Sequence, residues 1–67
     1  MLEREDLARL DDKLGVLTAH PGGPVDALAF ATEFARLNNI ADVELVREAV
    51  HVRGAKLGLN IVDNRPT

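Results

Sequence analysis

A chain of 67 residues with a net charge of −3 and no cysteine is long enough for one small domain only. At this length folding buries only about 60% of the surface of the unfolded chain, so tight helix packing or oligomerisation has to replace the missing disulfides. Three threonines are the only hydroxyl side chains, and two histidines without cysteine are too few for a structural zinc site. We therefore expect no enzyme activity, no metal and no cofactor.

The start of the sequence and its apolar runs predict the compartment. No apolar run approaches the roughly 20 residues that span a bilayer, and acidic residues follow Met1 where a signal peptide would be basic. We expect a cytoplasmic chain without membrane contact. The frequent use of Ala, Arg, Leu and Val favours a bacterial or phage source.

The first predicted helix runs from Arg4 to Thr18. Its leucines recur at spacings of three, four and three, which gives a narrow apolar stripe suited to one partner helix: Leu7, Leu10, Leu14 and Leu17. The Pro and Gly residues of the segment 20–24 then end the helix.

A second helix is predicted from Pro24 to Asn38, because proline at a first turn lacks only an N–H that would be unpaired there. Three alanines four residues apart form a ridge of small side chains, with Phe34 on the same apolar arc: Ala27, Ala31 and Ala35. Such a ridge permits the close approach of a neighbouring helix. That neighbour is either helix 1 of the same chain or helix 2 of a second copy.

The third predicted helix covers Val43 to Leu57, with Asp42 as its N-cap and the asparagines 38–39 as the preceding stop. Its apolar residues form two stripes, so it should contact two neighbours. One stripe contains Val43, Val46, Val50 and Leu57, and the other contains Leu45, Ala49, Val52 and Leu59. Residues 59–62 alternate and are predicted to be extended, and residues 63–67 are predicted to fray.

The segment His20-Pro21-Gly22-Gly23 resembles the haem-ligand loop of the cytochrome b5 family. The resemblance implies that His20 is an axial haem ligand, with His51 as the second. It covers four residues, and the strands and aromatic residues of that family's haem crevice are not evident in this sequence. We favour the interpretation in which His20 lies at the end of helix 1 before a glycine turn.

Helix 3 carries the one cluster of basic residues that a single helix could present: Arg47, His51, Arg53 and Lys56. Together with helix 2 it has the lengths of a helix-turn-helix, so these side chains could meet DNA. The acidic net charge and the glutamates at 44 and 48 on that face favour a protein partner instead.

The predicted fold is all-α, a single three-helix domain that forms a homodimer, because the apolar faces exceed what one small protomer readily covers. The predicted function is a non-catalytic protein-interaction module, such as a small regulatory or assembly subunit. A dimeric helix-turn-helix regulator is the alternative. The predicted partner-binding residues are Ala27, Ala31, Phe34, Ala35, Arg47, His51, Arg53 and Lys56.

Overall fold

A computed structural model of the chain describes residues 2–19 and 23–63. This part of the chain is mostly helical, as predicted, and contains three helices and one small sheet. The elements in chain order are α1 (Arg4–Ala19), β1 (Val25–Asp26), α2 (Ala27–Leu37), α3 (Val43–Lys56) and β2 (Ile61–Val62). The strands pair in parallel, with Val25 opposite Ile61, so the all-α prediction misses a short sheet. None of the described helices has the length and apolar character needed to cross a membrane.

Helix α1 begins after Glu3, whose backbone carbonyl accepts the first helical hydrogen bond from Leu7. The backbone N–H of Glu3 donates to the Asp6 carboxylate at 3.3 Å, which satisfies a donor that the helix itself leaves unpaired. Leu10 and Leu14 of the predicted stripe are fully buried. Leu7 and Leu17 at its two ends are half-buried.

Helix α2 begins at Ala27, three residues later than predicted. Pro24 precedes it in an extended segment, where Val25 N donates to Asn60 O at 2.8 Å. Asp26 is the N-cap, and its side chain accepts a hydrogen bond from Ala29 N at 3.1 Å. The prediction was wrong because backbone pairing with a distant strand outweighs the local preference of Pro24 for a first helical turn.

The connection from α2 to α3 follows the predicted chemistry. Asn39 adopts a left-handed conformation with φ 54°, which asparagine tolerates, and Ile40 N then donates back to Ala35 O at 2.9 Å. Asp42 caps α3 by accepting from Glu44 N at 3.1 Å.

Residues 59–63 form a strap, called here the C-terminal strap, that turns back over α3. Gly58 permits the turn with φ 77°, and Leu59 N donates to Gly54 O at 2.9 Å. The predicted extended conformation is confirmed at residues 61–62, which form β2. Asp63, at the start of the segment predicted to fray, contacts Arg47 on α3, and residues 64–67 lie outside the described part.

The core lies between the three helices, and α2 packs most closely against α3. The alanine ridge of α2 is buried in this core and does not face a second copy. The buried apolar residues are Leu10, Leu14, Ala27, Ala31, Phe34, Ala35, Val46 and Val50.

Candidate functional site

A shallow apolar groove of about 440 Å³ runs between α1 and α3. Apolar side chains form most of its surface, and one acid and one base stand among them. The lining residues are Leu2, Leu7, Leu45, Glu48, Ala49, Val52 and Arg53. We call this surface the α1/α3 groove.

The α1/α3 groove exists because the middle of one apolar stripe of α3 is buried in the core while most of the other stripe stays open. At the end of α3, Leu57 of the first stripe is also 43% exposed. Val46 and Val50 of the first stripe are fully buried in the core. In the second stripe Leu45 and Ala49 are only half-buried, and Val52 remains 57% exposed. Leu7 of α1 and Leu2 just before that helix line the groove together with this stripe.

An ion pair joins the two helices beside the groove. Arg53 Nη1 on α3 donates to Asp11 Oδ2 on α1 at 2.5 Å. Both side chains are partly exposed, so the pair contributes little to stability. The groove therefore has a basic group at one rim.

A second, smaller depression of about 220 Å³ lies where α1 meets α2. It is lined by Lys13, Phe30, Glu33, Phe34 and Leu37. Leu37 is 58% exposed there, but Phe34 is nearly buried and closes the floor as part of the core. This depression offers less open apolar surface than the α1/α3 groove.

The most strongly connected polar group of the described chain is Arg47 on α3. Its side chain is buried, and it donates from Nε to Asp63 Oδ2 at 2.8 Å, from Nη2 to Asp63 Oδ1, and from Nη1 to Glu44 Oε1 at 3.0 Å. These hydrogen bonds, above all those to Asp63, raise the pKa of Arg47 further above its ordinary value. His51 Nε2 lies 2.9 Å from Asp63 Oδ2 on the exposed side of the cluster.

This cluster anchors the C-terminal strap to α3. The two-pronged contact between a guanidinium and a carboxylate is geometrically specific, and together with Glu44 it compensates the buried charge of Arg47. The Asp63 carboxylate accepts from Arg47 and contacts His51, and both of these residues belong to α3. These contacts hold the C-terminal strap against the helix. Within residues 2–19 and 23–63, no group of three or more acidic or histidine side chains is placed to hold a metal ion.

The structure separates the residues that the sequence predicted as one partner surface. Four of them are core residues and cannot reach a partner in this fold: Ala27, Ala31, Phe34 and Ala35. Arg47 is also buried and paired within the chain. His51 is exposed beside Asp63, Arg53 stands at the groove rim, and Lys56 is exposed at the end of α3. His20, predicted at the end of helix 1, lies outside the described residues.

Sequence reasoning missed two features that the structure makes prominent. The first is the α1/α3 groove. The second apolar stripe of α3, which is visible in the sequence, could have indicated it. The second is the role of Asp63, which follows the apolar residues 61–62 at a position where no local pattern indicates a contact with Arg47.

No protein-family model matches this chain, and comparison with curated proteins and with solved structures found no similar protein.

Proposed function

We propose that this chain is a non-catalytic protein-interaction module, a small regulatory or assembly subunit that works as a homodimer through the α1/α3 groove. The observation that carries the proposal is the uncovered second stripe of α3, centred on Val52, which is 57% exposed in the middle of a helix. With Leu7 and Leu45 beside it, this is a continuous apolar surface and not an isolated exposed side chain.

The small size of the domain favours self-association. Its core contains few large side chains, since three of the eight buried apolar residues are alanines. A chain of this length without disulfides gains stability when a second copy covers apolar surface that would otherwise meet water. The groove offers such a surface on two helices at once.

Charge and pairing favour a protein partner over DNA. A DNA reader needs basic side chains free to reach phosphates and base edges. Here Arg47 is buried and held by Asp63 and Glu44. The exposed glutamates 44 and 48 on the same helix would repel phosphates.

The proposal includes no catalytic step, and it fits the state of the two threonine hydroxyls that the structure describes. The hydroxyl of Thr18 donates to Gly15 O at 2.6 Å, and that of Thr32 donates to Leu28 O at 2.7 Å. Both hydroxyls are thus engaged by their own helices. The lack of cysteine fits the reducing cytoplasm, where we place the protein's action.

Val52→Glu tests the groove, with Val16→Glu as its matched control. Both valines lie in helices and are exposed to nearly the same extent, 57% and 58%, but Val16 does not line the groove. By light scattering at tens of micromolar, the wild type and Val16→Glu should have dimer masses, and Val52→Glu should be monomeric with unchanged helical circular dichroism. A monomeric wild type, or equal masses for the two variants, contradicts the proposal.

A further inference from the structure

We infer that Glu48 and Arg53 determine how the second copy binds: the two α3 helices lie parallel, and Glu48 of each copy pairs with the partner's Arg53. This inference rests on the proposed function and adds the orientation of the two copies and the residues that select it. It follows from the placement of charge around the α1/α3 groove.

The two charged groove residues stand on opposite sides of the apolar stripe. Residues five apart on an α-helix point about 140° away from each other. Glu48 and Arg53 both line the groove, with Val52 and Ala49 between them around the helix. One rim of the stripe is therefore acidic and the other is basic.

In a two-fold symmetric dimer, these charged rims favour one relative orientation of the two α3 helices. When two identical helices pack in parallel, the left rim of one faces the right rim of the other, so acid meets base at two places. When they pack antiparallel, each rim faces its own copy, so acid meets acid and base meets base. A spacing of five residues is also the one at which flanking side chains pair across parallel helices.

The apolar spacing on α3 suits such a seam. Leu45, Ala49, Val52 and Lys56 are separated by four, three and four residues, the alternation that keeps one helix face against a partner. Lys56 is the last residue of α3 and is exposed, so its ammonium group can extend past the helix end into water. The apolar contact comes from Leu45, Ala49 and Val52.

Arg53 retains hydrogen-bonding capacity for the partner. A guanidinium has five N–H donors, and the contact with Asp11 uses Nη1. The contact with Asp11 therefore leaves the Nε and Nη2 donors of this groove residue outside the pair. A carboxylate of the second copy can accept from them.

Exchanging the two charges tests the orientation. Glu48→Arg and Arg53→Glu each place like charges at both contacts, and each variant should dimerise roughly tenfold more weakly than the wild type, given two lost and two repulsive exposed pairs. An equimolar mixture of the two variants should form a heterodimer, measured by native mass spectrometry with one chain isotopically labelled. The double variant Glu48→Arg/Arg53→Glu should again form homodimers.

Two controls separate interface effects from effects within the chain. Asp11→Asn breaks the same intrachain ion pair that Arg53→Glu breaks, and it should leave the dimer near wild-type affinity. The weakening by the single charge variants should shrink at high salt, because exposed ion pairs are screened.

The outcomes distinguish this inference from the proposed function. If Val52→Glu disrupts the dimer but the charge variants dimerise as tightly as the wild type does, the parallel arrangement is overturned and the groove stands, whether or not the two variants prefer each other in the mixture. A wild type that is monomeric at tens of micromolar overturns both.

Discussion

Arg47 on α3 and Asp63 in the C-terminal strap are sixteen residues apart, and two hydrogen bonds join the guanidinium of one to the carboxylate of the other. The strap carries β2, and β2 pairs with β1 directly before α2. This contact and the hydrogen bond from Leu59 N to Gly54 O hold on α3 the segment that pairs with β1. The small parallel sheet thus depends on a side-chain pair as well as on its own backbone hydrogen bonds.

Removing the carboxylate should destabilise the fold more than removing the guanidinium. Asp63→Ala leaves a buried positive charge without its main partner, whereas Arg47→Met replaces that charge with an apolar side chain of similar length. We expect a clear drop in the thermal midpoint for Asp63→Ala and a smaller drop for Arg47→Met, measured by circular dichroism. Glu33→Ala breaks an exposed pair with Arg36 and should change the midpoint little.

Two glycines in helices should respond oppositely to alanine. A Cβ on Gly54 would lie 2.6 Å from Ile61 Cγ1, so Gly54→Ala must displace the strap. The overpacking cost of about 1–3 kcal/mol exceeds the helix-propensity gain of about 1 kcal/mol. Gly15→Ala meets no atom within 4 Å and should stabilise by up to about 1 kcal/mol. Urea denaturation measures both.

The cause of the Gly54 effect can be tested directly. Ile61→Ala removes the side chain that a new Cβ would strike. In the Ile61→Ala background, Gly54→Ala should therefore cost less than in the wild type. Equal costs in the two backgrounds would show that Ile61 is not the source of the strain.

The buried alanine ridge of α2 should not accept a larger side chain. Ala31 is fully buried, so Ala31→Leu should destabilise by about 1–3 kcal/mol through overpacking. Ala29, two residues earlier on the same helix, is exposed, and Ala29→Leu should be within about 0.5 kcal/mol of the wild type. Similar unfolding free energies for the two variants would contradict the assignment of Ala31 to the core.

Duplex DNA should not be a specific ligand. With Arg47 buried and paired inside the chain, we expect retention of duplex DNA no tighter than about 10⁻⁴ M at physiological salt. Lys56→Ala should leave any residual retention nearly unchanged, since one phosphate contact at most is lost. Sequence-selective retention below micromolar concentration that falls with Lys56→Ala would support the helix-turn-helix alternative.

The sequence determined the three helices and most of their ends. Leucine spacing in α1, Asp42 before α3, and the tolerance of Asn39 for a left-handed conformation are local signals that depend on only a few neighbouring residues. The two stripes of α3 were also visible in the sequence, because helical periodicity places them without reference to any neighbour.

Only the tertiary structure decided which stripe is buried and what the polar residues do. Local sequence cannot show that Val25 pairs with Ile61, so it placed the start of α2 three residues too early. Nor can it show that Arg47 meets Asp63, a contact between segments that the turn at Gly58 brings together. Residues distant in sequence meet only when the whole chain has packed, and that packing turned an expected surface arginine into the anchor of the strap.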